Sequence, residues 1–375
     1  MGLNRSTIGA LVSELAGLGA VHEHRPEADP SRPATAGRPS LRVVPAADRV
    51  QVLAADIAVD RIVVALIGLG GTVVTRRRRR RTIGPASSGP AQVLAVLGEM
   101  FDAVLADRDP GVEVVGIGVA VPGVVRSRDG LVRFAPNLGW VDVPLGEMLR
   151  DRFGHLPSRV GNDADLGLLA EHRRGAARGI DDVVFLAGDV GVGGGMVLGG
   201  RPLIGAGGYA GELGHMMIRP DGRRCRCGAH GCWETEIGLP AVLRALGLPE
   251  DTGSEGLSEA LARVEPGSTV LDDVGRHLGL GMASIVNLVN PRLFIVGGLL
   301  REVYPLIEDV ARSALAEAAL VAPGEQVRID VPLLGGDASL VGASELAWSD
   351  LLADPTAVLG AGTAPGRGTV PRRRA

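Results

Sequence analysis

Every thiol of this 375-residue chain lies in one short stretch, "HMMIRPDGRRCRCGAHGC", which runs from His215 to Cys232. A disulfide among Cys225, Cys227 and Cys232 would leave one thiol over, and "RRCRCGAHGC" is too polar and glycine-rich for core cysteines. Thiolate and imidazole are the ligands that tetrahedral Zn²⁺ prefers, and three Cys with one His fill its four positions, leaving none for a reacting water. The spacing therefore predicts a structural zinc held by His215, Cys225, Cys227 and Cys232, with His230 as a weaker substitute ligand or simply an exposed loop residue.

Two carboxylates flank these ligands. Glu212 stands three residues before His215 and Glu234 two after Cys232, so a folded knot gathers two acceptors and an imidazole into one small volume, where a polyol fits. The plainer role for each glutamate is to steer a metal ligand. In "GNDADLG", Asn162 and Asp163 offer further polar groups, although Asn162 is equally suited to cap a helix that starts at Asp163.

Several elements must position these groups. From Gln51 onward, "VLAADIAVDRIVVALIGLGGTVV" reads as apolar strands joined by tight turns, and "AQVLAVLGEMFDAVLAD" as a helix. "VEVVGIGVAVPGVV" is a buried strand that ends in a Pro-Gly turn. The run Arg76 to Arg81 reads as a solvated loop, and the sequence after about Asp354 has no periodicity and reads as a disordered tail. Residues 1–50 differ in kind. Ile8, Leu11, Leu15 and Leu18 share one helical face behind a polar cap, Asn4 or Ser6, and two extended pieces follow, "AVHEH" and "GRPSLRVVP". This layout resembles the recognition helix and wing of a winged helix-turn-helix without its leading helices, which suggests a start site placed too late. Asn4, Arg5, Ser6 and Thr7 are the expected major-groove contacts, and Arg38 the contact to an adjacent phosphate or minor groove.

The totals set limits. A formal charge of −4 and a pI near 6.0 argue against a chain that coats nucleic acid over its whole surface. The longest uncharged runs, Ile62 to Val74 and Leu278 to Pro291, fall short of the roughly 20 apolar residues of a spanning helix, so no membrane partner is expected. The start lacks a secretory pattern, which places the chain in the cytoplasm with reduced thiols.

Taken together, "AGELGH", "CRCGAHGCWE", "GNDADLG", "VGVGGGMVLGG" and "NPRLFIVGG" closely resemble the ROK family of repressors and sugar kinases, over residues 51 to about 350. The resemblance implies an α/β, two-lobed actin-like (ribonuclease H-like) ATPase-type fold with a partial N-terminal winged helix-turn-helix. The implied division is 1–50 winged unit, 51–175 first lobe, 176–350 second lobe with the zinc knot, and 351–375 disordered tail. It also implies that Asn162, Asp163, Glu212, His215 and Glu234 bind sugar hydroxyls, with Asn137 and Gly123 as additions. In the kinases, the aspartate matching Asp163 is the catalytic base.

The chain departs from the kinases where phosphate binds. Their Asp-x-Gly-Gly-Thr hairpin reads "DIAVD" here, with Ala58 and Val59 for the glycines and Asp60 for the threonine. Their Gly-Thr-Gly loop reads Asp189-Val190-Gly191. Both changes set bulk and negative charge against a polyanion. The expected function is thus a sugar-responsive transcriptional regulator that binds operator DNA and a monosaccharide effector without phosphorylating it, as a homo-oligomer and without ATP or Mg²⁺. The alternative is an ATP-dependent sugar kinase with Asp163 as general base, and a third reading is a homologue that binds neither DNA nor sugar.

Overall fold

The computed structural model describes residues 4–24, 41–80 and 89–360. Helix α1 (Arg5–Gly17) begins where Asn4 Oδ1 accepts the backbone N–H of Thr7 at 2.9 Å and the hydroxyls of Ser6 and Thr7. That contact satisfies one of the orphan donors of a helix start. Strands β1 (Val21–His24) and β2 (Arg42–Pro45) pair antiparallel, giving the helix and wing that the sequence suggested. Leu15 and Leu18 pack toward the body, while Ile8 and Leu11 stay exposed. Arg38 lies outside the described residues.

Strands β3 (Val50–Ile57) and β4 (Arg61–Gly68) are buried along almost their whole length, as strands covered on both faces must be. Next along the chain come β5 (Val73–Arg80), α2 (Pro90–Ala106), β6 (Glu113–Val121) and a small sheet of β7 (Val124–Arg126), β8 (Leu131–Ala135) and β9 (Trp140–Val143). Helix α3 (Leu145–Phe153), β10 (Ser158–Asn162) and α4 (Asp163–Arg174) complete the run. The first-lobe sheet has the order β10-β6-β3-β4-β5.

The arginine run is not a loop. Arg76 to Arg80 form most of the edge strand β5, with Arg76 paired to Asp337 at 2.8 Å, Arg79 to Glu99 at 2.8 Å, Arg77 to Asp107 and Arg80 to Glu255. Antiparallel pairing with β4 supplies the backbone hydrogen bonds, and the charged side chains keep the free edge from pairing further.

The second lobe repeats the plan. It contains β11 (Val183–Gly188), β12 (Val192–Leu198), β13 (Arg201–Pro202), α5 (Glu234–Ile237), α6 (Leu239–Ala245), α7 (Ser254–Leu261), α8 (Asp272–Val289), β14 (Leu293–Gly298), α9 (Leu300–Ala318), α10 (Val321–Gln326) and β15 (Arg328–Asp330). Its sheet order, β13-β12-β11-β14-β15, matches the first: an antiparallel meander continued on its far side by two parallel strands. This is the two-lobed α/β architecture that the sequence resemblance implied.

The chain then turns back, which moves two expected boundaries. Helix α11 (Ala338–Ala347), assigned from sequence to the second lobe, packs on β3 and β6 of the first and against α4. The reason is steric. A Cβ on Gly342 would lie 1.9 Å from the carbonyl oxygen of Leu166, and one on Gly118 of β6 would lie 1.8 Å from that of Ala343. Helices α12 (Ser349–Ala353) and α13 (Pro355–Leu359) follow, so the tail expected to be disordered from residue 351 is ordered to Leu359, where Leu351 and Leu359 are buried. Residues 361–375 lie outside the described residues. Among the described residues no helix is long and apolar enough to cross a membrane.

Candidate functional site

The Cys/His knot closes as its spacing predicted. One ligand atom from each of His215, Cys225, Cys227 and Cys232 lies within 4.8 Å of all the others. The Cys227–Cys232 sulfur separation is 3.7 Å. A tetrahedral zinc with Zn–S near 2.3 Å sets its sulfurs about 3.8 Å apart, so the residues present fit such an ion. The turn depends on Gly231, whose φ is 67° and whose Cβ would meet the carbonyl of Arg219 at 1.6 Å. His230 is exposed, bridged to Arg224, and outside the ligand set. Behind the knot, Trp233 is fully buried and its indole N–H donates to the carbonyl of His277 at 2.8 Å, which fixes the knot to α8.

Of the residues expected from sequence to bind sugar, Glu212, Glu234 and Asn137 meet this anchor. Glu212 starts the single turn Leu213–His215, with its carboxylate 4.0 Å from the His215 ring. Glu234 accepts the Cys225 thiol at 2.8 Å with one oxygen and the backbone N–H of Val192 at 3.3 Å with the other. Asn137, from the β8–β9 turn of the first lobe, meets the guanidinium of Arg226, which stands between two of the ligand cysteines. Asp163 opens α4 on the cleft side. Burial, then the nearby Asp56 and Asp189, push its pKa up to about 7.

Asn162 has less to offer than the sequence suggested. Its Oδ1 accepts the backbone N–H groups of Ala164 and Asp165 at 2.8 and 3.0 Å, and its Nδ2 donates to the carbonyl of Gly123 at 2.9 Å. The helix-cap role is therefore filled, and the same side chain pins Gly123. One amide hydrogen is left for a ligand.

The phosphate side of the cleft is occupied by the protein's own charges. Arg61 donates to Asp60 at 3.0 Å and lies 3.8 Å from Asp56, while Ala58 N–H closes the hairpin on the carbonyl of Arg61 at 2.9 Å. Asp189, at the β11–β12 turn of the opposite lobe, is pushed above the usual carboxylate range by burial, against the opposing pull of the same guanidinium. The sequence placed bulk and negative charge here against a polyanion. Arg61 offsets part of this charge, although burial still holds both Asp56 and Asp189 above the ordinary carboxylate range.

Three functional groups escaped sequence reading. From sequence alone, Arg61, Glu171 and Glu345 carry no assigned role. Both glutamates are buried, and each has partners more than 160 positions away in sequence, at Leu333 and Leu334 for Glu171 and at Arg173 and Arg174 for Glu345. The residues expected from sequence to contact DNA, Asn4 to Thr7, sit at the exposed start of α1. The wing reaches the cleft by a short route: β2 passes through fully buried Ala46 and one turn into β3, which carries Asp56 near its end.

Comparison with known proteins places these features. The ROK family profile matches residues 52–349. A xylose repressor from Caldicellulosiruptor bescii is 28% identical over 369 residues, covering 94% of this chain and 90% of the relative. A glucokinase from Streptomyces coelicolor is 33% identical over 259 residues, covering 63% of this chain and 81% of the relative. The crystal structure of a ROK family transcriptional regulator, a homolog of the E. coli MLC protein, superposes with a TM-score of 0.73 at 27% identity, covering 91% of this chain and 88% of that one.

The buried acids predict a pH dependence of stability. Burial lifts Asp56 to about 6 against the opposing pull of Arg61, and Asp163 to about 7. Unfolded, both ionise near 4. Between about pH 4 and 7 the folded chain therefore holds protons that the unfolded chain has released, and unfolding free energy falls as pH rises. Asn in place of Asp163 keeps the acceptor for Ala164 N–H and removes the ionisation. Urea titrations should find Asp163→Asn at least about 1 kcal/mol more stable than the parent at pH 8, with the gain shrinking toward pH 4. Parallel pH profiles for the two proteins would show that Asp163 is not buried in this cluster.

Proposed function

This chain belongs to the ROK family, and we propose from that premise that it is a sugar-responsive transcriptional repressor: its winged unit reads operator DNA, and its cleft binds a monosaccharide without phosphorylating it. One observation carries the reading. Likeness to the repressor and to the regulator structure spans more than nine-tenths of the chain, and the helix and wing are present. The glucokinase match covers 63%.

In this reading Asp163, Glu212 and Glu234 accept sugar hydroxyl protons, His215 and Asn137 add polar contacts, and Asn162 contributes its remaining amide hydrogen while holding α4 and Gly123 in place. Zinc is the metal that suits the Cys₃His set, and its part is to fix the loop that bears Glu212 and Glu234. Lobe movement reaches the DNA unit through the rigid β2–β3 turn. The active form is a dimer matched to two half-sites, working in the cytoplasm beside the DNA it reads.

Two measurements test this. Elemental analysis of the purified chain should find one zinc, and Cys227→Ser should lower both zinc content and sugar affinity; a metal-free protein that binds sugar normally would refute the metal's role. Calorimetric titrations with D-xylose and D-glucose, repeated with the DNA that flanks the chain's own gene, should show reciprocal coupling of about 1 to 3 kcal/mol. Glu212→Gln should weaken sugar binding and leave DNA affinity in the absence of sugar unchanged. Sugar and DNA binding that ignore each other would defeat the proposal.

A further inference from the structure

The three thiols of the knot are unequally covered. Cys225 and Cys232 are 3% and 1% exposed, whereas Cys227 stands on the surface at the start of the turn 228–231. None of the three is in a disulfide. A reagent in solvent therefore meets one sulfur of the set before the other two, and access is one of the conditions that decide which cysteine reacts.

The geometry singles out a partner for that sulfur. Cys227 Sγ lies 3.7 Å from Cys232 Sγ. Cys225 is held elsewhere: its sulfur is 2.8 Å from a carboxylate oxygen of Glu234 and accepts the backbone N–H of Cys227 at 3.4 Å. Closing Cys227 on Cys232 to a disulfide length of about 2.05 Å asks for a displacement of under about 2 Å. The stretch between them can supply it, since Gly228 has a φ of 99° with open space around it, and Ala229 and His230 are exposed.

We propose that Cys227 is an oxidation site, and that hydrogen peroxide converts the Cys227–Cys232 pair to a disulfide that dismantles the metal site. The Cys227 thiolate attacks one peroxide oxygen, the O–O bond breaks and hydroxide leaves, which makes a sulfenic acid at Cys227. The Cys232 thiolate then attacks that sulfur, the S–O bond breaks, and a second hydroxide leaves as the S–S bond forms. The two sulfurs together give up two electrons, and the peroxide takes both. His215 and Cys225 are then the only ligands left, too few for a tetrahedral set. Thiol exchange with a reductant reverses the step, as in the transient disulfides of reducing compartments. The change reaches the cleft through adjoining backbone: Cys232 bridges Met217 and precedes Trp233 and Glu234, and His215 ends the turn that Glu212 starts.

Peroxide treatment of the full, zinc-loaded chain tests this without reference to sugar. A modest excess of hydrogen peroxide should release the zinc to a colorimetric chelator. Peptide mapping after alkylation should find Cys227 joined to Cys232 and Cys225 alkylated, and dithiothreitol with Zn²⁺ should restore the site. Cys227→His supplies an imidazole ligand in place of the sulfur and should lose zinc at least about tenfold more slowly in peroxide. Cys225→His, which keeps the reacting pair, should lose it as the parent does. A parent that takes up no zinc or retains it in peroxide, a disulfide that includes Cys225, or Cys227 oxidised past the sulfenic acid without a cross-link would each overturn the proposal. The effect on the cleft rests on the proposed function: the oxidised chain should bind D-glucose or D-xylose about tenfold or more weakly than the reduced chain. A reduced chain that binds neither sugar counts against that function alone, because zinc release and the disulfide are read without it. Equal sugar affinity in the reduced and oxidised chains would overturn the coupling.

Discussion

Glu171 is the side chain on which the two-lobed arrangement turns. It is wholly buried at the end of α4, and its two oxygens accept backbone N–H groups from Ala176 at 2.7 Å, Leu333 at 3.1 Å and Leu334 at 2.8 Å. Ala176 lies where the chain leaves the first lobe, and Leu333 and Leu334 lie where it returns. One carboxylate thus fastens both crossings, and a buried charge of this kind is tolerable only because every partner is in place. Glu345 adds a second tie, accepting Arg173 at 2.9 Å and Arg174. Both ties lie where the chain crosses between the lobes, so they fix how the lobes meet.

With the lobes tied in this way, the two halves of the cleft differ in chemistry. On the sugar side, the Cys/His knot, Trp233 and the backbone N–H of Val192 hold Glu212 and Glu234 in a small volume. On the other side, a phosphoryl-transfer site would need bare backbone and compensating cations. Here Val59 adds bulk and Arg61 is already engaged with Asp60 and Asp56. Asp163 keeps a pKa suited to a general base, yet a base accelerates only a phosphoryl group that other residues hold in line. The proposed function is therefore ligand binding without phosphoryl transfer, and the short path from β2 through Ala46 into β3 connects the winged unit to the first-lobe sheet.

Features set by neighbouring residues were legible in the sequence; features set by distant ones were not. The knot was readable because its ligands lie within one turn-rich stretch, and the α1 cap and the buried strands because capping and apolar runs are local signals. The return of α11 to the first lobe was hidden, since glycines such as Gly118 and Gly342 carry no periodic mark and gain meaning only when two backbones meet. The arginine strand was misread because charge suggested a loop, while the ladder from β4 and four acids on three other segments decided the outcome. Asn162 was legible as two roles, and only the coordinates show its oxygen committed to the cap.

The account stands or falls on sugar binding without phosphoryl transfer. The most direct test is a coupled ADP-release assay with Mg-ATP and D-glucose or D-xylose, run on protein whose sugar binding has been measured calorimetrically. The account predicts that sugar binds and that ADP release stays at the sugar-free background. Sugar-dependent turnover at roughly 1 to 1,000 per second, abolished by Asp163→Asn, would contradict it and identify the chain as a kinase.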